Sequence, residues 1–172
     1  MIWIRAKQVL ASLAFGLALF ICVWVSRVFF VRNVLGPLIP LTGPAKVACI
    51  AICQGAIPAL PLGFGYGLMP RRNLFAGAVA VALLACAFEL ATSSVSFAWW
   101  NFKTWWVLPL ECLTVLVAFV VAALAGSRSL QGVRPKVRVC VGAGIFALIV
   151  VGALIWPWLF SCLFLNDCRL VP

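Results

Sequence analysis

Five apolar runs, each long enough to cross a lipid bilayer, constrain this chain more than any other feature of its sequence. They extend approximately over residues 9–29, 47–69, 74–98, 105–126 and 138–160. A helix of about 20 mostly apolar residues spans the hydrocarbon core of a membrane, and its own hydrogen bonds satisfy its backbone there. The sequence therefore predicts an all-α integral membrane protein, a bundle of about five transmembrane helices with short loops.

The composition agrees with a membrane location. Hydrophobic residues make up 66% of the chain and charged residues 9%, whereas soluble domains average about 45–50% and about 25%. A soluble core of 172 residues cannot bury so much apolar surface. We expect residues 1–172 to form a single transmembrane domain in contact with membrane lipids, with residues 161–172 as a short outer tail.

The basic residues predict the orientation of the chain in the membrane. The net charge of +10 falls mostly between the apolar runs, which is typical of topology-determining residues and argues against a nucleic-acid partner. With a cytoplasmic amino terminus, the cytoplasmic side holds Arg5, Lys7, Arg71, Arg72, Arg128, Arg134, Lys136 and Arg138. The other side then holds Arg27, Arg32, Lys46, Lys103 and Arg169. This bias predicts an outer carboxyl terminus. The chain length suits a bacterial inner (cytoplasmic) membrane protein, and a eukaryotic membrane is the alternative.

Tryptophans concentrate in the segment SFAWWNFKTWW, residues 96–106, between the third and fourth runs. Its four indoles belong to Trp99, Trp100, Trp105 and Trp106. With five helices, Trp24, Trp156 and Trp158 fall at the same outer interface. Indoles at headgroup depth form aromatic belts, so we predict that this loop lies at the outer surface. The same loop can also dock another membrane subunit.

The second run is irregular, because it holds two prolines and three closely spaced glycines. These residues are Pro58, Pro61, Gly63, Gly65 and Gly67. Proline removes a backbone donor and clashes with the preceding turn, so a kink or a break is expected. A broken helix can line a transport site. Alternatively, a kinked helix packs closely on a neighbour through Gly63 and Gly67.

Two glutamates and one arginine fall inside the predicted helices, where an unpaired charge is costly. Glu89 and Glu111 lie at similar depths on the third and fourth helices, below the outer boundary, and Arg27 lies near the outer end of the first. Pairing with Arg27 would offset the burial cost of either carboxylate and hold the bundle in register. The alternative is a proton- or cation-binding carboxylate pair, in which repulsion favours one bound proton.

The eight cysteines indicate little specific chemistry. Most lie in apolar runs, where cysteine behaves as a small hydrophobic residue. Cys162 and Cys168 follow the last run, and in an oxidising outer compartment they can form a disulfide. The chain has no histidine and no C-x-x-C pair, so the sequence predicts no metal site and no cofactor.

Three functions remain open from the sequence. The first is an accessory, assembly or scaffold subunit of a larger membrane complex, with protein partners or further copies of the chain in the membrane. The second is a small proton- or cation-coupled transporter or channel that uses Glu89 and Glu111. The third is a membrane enzyme acting on lipid or thiol groups. We rank this third because no histidine base, nucleophile elbow or phosphate loop is present.

Overall fold

A computed structural model describes most of the chain. It describes the backbone of residues 2–26, 36–69, 73–96 and 106–164. Side chains are described for residues 12–26, 37–69, 73–92, 106–156 and 159. Of the predicted site residues, Arg27, Trp99, Trp100, Trp105 and Cys168 lie outside the described residues, as does the side chain of Cys162.

The described chain consists of five long helices and one short helical turn. They are α1 (Ile2–Val25), α2 (Gly36–Leu38), α3 (Gly43–Gly67), α4 (Leu74–Ser96), α5 (Val107–Ser129) and α6 (Pro135–Phe164). No strand occurs within these residues. The predicted all-α class is confirmed. The largest differences in boundaries are at the first and last helices. Helix α1 covers Ile2–Val25 where the run 9–29 was predicted, and α6 continues to Phe164 and takes in the first residues of the predicted outer tail.

Four of the helices are long and apolar enough to cross a membrane. The qualifying stretches are Gly43–Gly67, Leu74–Thr92, Val107–Ser129 and Pro135–Trp156. The side chains described in the first helix form a shorter apolar stretch, Ser12–Val25. Its backbone is helical over 24 residues, or about 36 Å at 1.5 Å per residue, which also matches a bilayer core. The protein is therefore an integral membrane protein.

Proline and glycine set several helix ends. Thr42 is extended before α3, and Pro44 occupies the first turn of that helix, where its missing N–H leaves no donor unsatisfied. Pro135 begins α6 in the same way. Between α5 and α6 the turn is closed by a hydrogen bond of 3.1 Å from the Val133 N–H to the Leu130 carbonyl oxygen. Short turns of this kind make consecutive helices antiparallel.

Helix α3 is the centre of the bundle. It packs against all four other long helices, while α4 packs also against α1 and α5. The helix is continuous from Gly43 to Gly67, with Pro58 and Pro61 in its interior. Of the two predicted alternatives, a kink or a break, the structure excludes the break. Helix α3 itself is therefore uninterrupted.

Glycines allow α3 and α5 to pack backbone against backbone. A Cβ atom built on Gly63 would overlap the carbonyl oxygen of Phe119, and one on Gly67 would overlap that of Ala123. Across the same interface, a Cβ on Gly126 would overlap the carbonyl oxygen of Phe64. Lipid tails are as apolar as the helix surfaces, so such close van der Waals packing holds membrane helices together.

Gly65 serves the other side of α3. A Cβ atom on Gly65 would lie 3.3 Å from the Gly142 carbonyl oxygen on α6, and one on Gly142 would lie 2.7 Å from that of Gly65. The glycine-rich end of α3 therefore packs closely against α5 on one side and α6 on the other. The three predicted glycines are structural contacts on two faces of one helix.

An aromatic cluster fills the middle of the bundle. Tyr66 is fully buried, and its ring centroid lies 5.1 Å from that of Phe15 and 5.5 Å from that of Phe119. Phe146 extends the cluster to α6, with its centroid 4.5 Å from that of Phe15. Four helices, α1, α3, α5 and α6, thus contribute one ring each to a common core.

We expect Phe119→Leu to lower the free energy of unfolding by about 1 kcal/mol, since it removes the ring contact with Tyr66 but keeps an apolar side chain. Thermal unfolding in detergent checks this value. The matched control is Val117→Ala on the same helix, where 52% of the side chain is exposed and little change is expected. Equal losses for both variants would contradict the central role of the cluster.

Candidate functional site

Glu89 and Glu111 lie at the α4–α5 interface because each continues the buried stripe of its helix. In α4, the buried residues Ala82 and Ala85 precede Glu89 at helical spacing. In α5, Val115 follows Glu111 by one turn. Only 4% of the Glu89 surface and 1% of the Glu111 surface is exposed. The buried, hydrophobic face of each helix therefore contains one ionisable side chain.

The two glutamates line one small cavity. Its volume is about 10 Å³, which is about the space that one water molecule requires. The lining residues are Phe20, Val23, Ala85, Cys86, Glu89, Glu111, Cys112 and Val115. The sequence predicted that the two acids share a depth, and the structure places them at the same cavity. Both residues take part in interactions within the chain.

Two thiols share this cavity with the carboxyl groups. The Cys86 thiol donates a hydrogen bond of 3.5 Å to the carbonyl oxygen of Cys112, and both thiols line the cavity. Both cysteines are partly buried. The cavity thus combines two acidic oxygen groups with two sulfur groups, and α1 covers it with Phe20 and Val23.

Threonine hydroxyls and a close helix approach contact the backbone near the cavity. The Thr92 hydroxyl donates to the carbonyl oxygens of Phe88 (2.9 Å) and Glu89 (3.0 Å), and the Thr114 hydroxyl donates to that of Leu110 (2.8 Å). A Cβ atom on Gly55 would lie 3.0 Å from the Glu111 carbonyl oxygen. Thr92 is exposed and bonds the helix backbone, so it contributes to helix geometry and does not line the cavity.

The remaining predicted residues lie elsewhere. Pro58, Pro61 and the three glycines of α3 do not line the cavity, so the structure does not join the proline-rich segment and the acids into one site. Trp106 lies immediately before α5. The exposed Trp24 near the end of α1 and the partly exposed Trp156 in α6 belong to the same side of an antiparallel bundle.

Cys86 and Cys112 are the site residues that the sequence analysis missed. As members of apolar runs they are expected from the sequence to behave as small hydrophobic residues. Only the spacing of Cys86 carried a signal, since Cys86 precedes Glu89 by three residues, whereas Cys112 directly follows Glu111 and adjacent residues do not share a face. Residues three apart in a helix share a face. Pairing of α4 with α5 then brings the four residues together.

The arrangement can hold a proton or a small cation at its carboxyl groups, and it can undergo thiol oxidation at its sulfur atoms. Within the residues that the structure describes, no group of three or more His, Cys, Asp or Glu side chains is arranged to hold a metal ion. Comparison with protein-family models, with curated proteins and with solved structures found no match to this chain.

Proposed function

We propose that this protein is an accessory, assembly or scaffold subunit of a larger membrane complex. The observation that carries this proposal is the exposure of α6. Only 6% of its membrane-spanning stretch is buried within the chain, against 33–39% for the other three qualifying stretches. A helix that contributes so little to its own bundle leaves a long face for other helices.

The composition of that face supports a protein partner. Gly144 and Gly152 lie on α6 with no other atom within 4 Å of a Cβ built on either residue. Glycine in a helix interior costs about 1 kcal/mol relative to alanine, and it offers lipid tails little contact area. In membranes, exposed small residues allow a second helix to approach closely. The exposed Leu148 between the two glycines supplies apolar contact area.

The orientation belongs to the same proposal. The turn between α5 and α6 carries Arg134, followed by Lys136 and Arg138 at the start of α6, and the positive-inside rule favours the cytoplasm for such a turn. We therefore propose an amino terminus in the cytoplasm of a bacterium, an outer carboxyl terminus and residence in the inner membrane. The proposed Cys162–Cys168 disulfide depends on this orientation.

A second candidate is a small proton- or cation-coupled carrier, and it is favoured by the cavity that Glu89 and Glu111 share. Two acidic groups at one buried point can exchange a proton or hold a small cation. The cavity has room for about one water molecule. A carrier of this kind would therefore move an ion or a proton, and an organic substrate would need another conformation.

Native mass spectrometry of the tagged protein, extracted gently from its own membrane, tests the proposal. We expect a reproducible heteromeric complex. Replacing Gly144 and Gly152 together by phenylalanine should reduce the complex at least tenfold, because the added rings block close helix approach. The matched control is Val117→Phe with Val121→Phe, which adds two rings at exposed positions of α5 and should leave the complex intact.

The result can go against the proposal in two ways. A monomer or a homo-oligomer as the only species would favour the carrier. A heteromeric complex that both double variants preserve equally would show that α6 is not the interface.

A further inference from the structure

We propose that Cys86 and Cys112 form a redox-active dithiol, which a bilayer-soluble oxidant of the quinone class converts to a disulfide between α4 and α5. This site is separate from the proposed partner face on α6. Its ligand class follows from the position of the two thiols, from the carboxyl groups beside them and from the apolar surroundings of the pair.

Cys86 and Cys112 lie near each other in the structure. The two cysteines lie on adjacent helices, with the Cys86 sulfur 3.5 Å from the Cys112 carbonyl oxygen, and both residues line the same cavity. A disulfide requires Cβ atoms about 3.8 Å apart. Both thiols line one small cavity between the two helices, and the Cβ atoms reach this separation as the bond forms. Packed helices that hold both thiols at one cavity lower the entropic cost of closing the bond.

The two thiols are accessible to a molecule dissolved in the lipid. Cys86 lies on α4 between the buried Glu89, one turn later, and the exposed Leu83, one turn earlier. Cys112 likewise has buried Val115 on one side and exposed Leu113 next to it. Both thiols thus lie at the border between the cavity and the lipid-facing surface. An oxidant dissolved in the bilayer reaches this border more readily than a solute confined to water.

A proton acceptor lies beside the two thiols. A thiolate is the reactive form of cysteine, and the carboxyl groups of Glu89 and Glu111 line the same cavity as both thiols. One thiol gives its proton to a carboxylate, and the resulting thiolate adds to a ring carbon of the quinone. The other cysteine, losing its own proton, attacks the ring-bound sulfur. The sulfur–carbon bond then breaks, and its electron pair stays with the ring.

The overall reaction is balanced without a further reagent. Two thiols and one quinone give one disulfide and one quinol. The cysteines lose two electrons and two protons, and the quinol oxygens receive both protons. A reductant that returns the disulfide to two thiols restores the starting state.

The test uses the full-length protein, reduced and reconstituted in lipid nanodiscs, with a short-chain ubiquinone analogue as the probe. After quenching, free thiols are alkylated and the products are analysed by peptide mass spectrometry. We expect a Cys86–Cys112 cross-linked peptide, one quinol formed per disulfide, and recovery of both thiols after reduction. Glu89→Gln and Glu111→Gln together should slow the oxidation at least tenfold, while Cys49→Ala, on α3, should leave it unchanged.

Cys86→Ala and Cys112→Ala should each abolish quinol formation, and Cys→Ser variants replace them if the alanine variants fail to fold. The proposal is overturned if both cysteines remain fully alkylated after quinone treatment. It is equally overturned if hydrogen peroxide, supplied in water, forms the cross-link faster than the quinone does. A quinone-dependent disulfide between any other pair of cysteines would also refute it.

Discussion

Replacing Gly63 by leucine is expected to abolish the folded bundle. A Cβ atom at this position would overlap the Phe119 carbonyl oxygen, and it would lie 3.0 Å from the Phe119 Cα atom and 3.1 Å from the Ala122 Cβ atom. Two of these atoms belong to the backbone of α5, which cannot move aside as a flexible side chain can. The two helices would therefore have to separate.

Separation of α3 from α5 has consequences beyond one contact. Helix α3 packs against every other long helix, and Gly67 and Gly126 approach opposing backbone atoms in the same interface. Overpacking a single well-filled site costs about 1–3 kcal/mol. A leucine at Gly63 would also separate the neighbouring close contacts of the two helices. We therefore expect Gly63→Ala to be strongly destabilising and Gly63→Leu to yield no folded protein.

Size-exclusion chromatography in detergent, followed by thermal unfolding of any monodisperse fraction, measures this effect. The control is Gly144→Leu on α6, where a Cβ atom meets nothing within 4 Å. The control changes the same residue type to the same side chain in another membrane-spanning helix. A Gly63→Leu protein as stable as the Gly144→Leu protein would show that the α3–α5 interface is not packed as closely as described.

The helix count and positions followed from the sequence because the length of an apolar run is set by the thickness of the bilayer. Four of the five long helices begin and end within four residues of their predicted runs, whereas α1 begins seven residues before its run and ends four residues before the end of it. It was harder to predict whether α3 is continuous or broken, since Pro58 and Pro61 favour an interruption when they are considered alone. Neighbouring helices pack closely around the glycines near these prolines. Such tertiary packing is not visible in the local sequence, and it permits a continuous helix.

The candidate site was predictable only in part. Glu89 and Glu111 stood out because ionisable groups are rare inside membranes, and a helical hairpin of known turn position fixes their relative depth. To predict that both side chains line one cavity, the rotation of each helix about its axis must also be known. The sequence does not reveal this rotation, because the buried and the lipid-facing positions are both apolar. For the same reason Cys112 could not be distinguished from the other cysteines in apolar runs, and only the three-residue spacing from Glu89 marked Cys86.

Glu111→Ala is expected to lower the free energy of unfolding by about 3–5 kcal/mol, because it enlarges a buried cavity and removes a polar group from its interactions. Glu111 has 1% of its surface exposed, so bulk water cannot replace the lost group. Glu111→Gln keeps the size and hydrogen-bonding shape of the side chain, and we expect it to fold normally. Denaturation of both variants in mixed micelles gives the comparison.

A double-mutant cycle with Glu89→Ala tests whether the shared cavity is an energetic unit. The first truncation already opens the shared cavity and removes part of its packing, so the second truncation costs less. We expect the double variant to lose less stability than the sum of the single variants, by about 0.5–3 kcal/mol. The control cycle pairs Glu89→Ala with Val117→Ala, a lipid-facing position that is not in the cavity lining, and should be additive.

The same variants separate the two proposed functions. In an accessory subunit, Glu111→Gln should preserve both the fold and the heteromeric complex, whereas Glu111→Ala should weaken both through lost stability. In a carrier, the glutamine variant should fold normally and still lose ion- or proton-coupled uptake in liposomes, because an amide cannot exchange the proton that a carboxyl group binds. An intact complex together with unchanged ion flux for Glu111→Gln would assign Glu111 to structure.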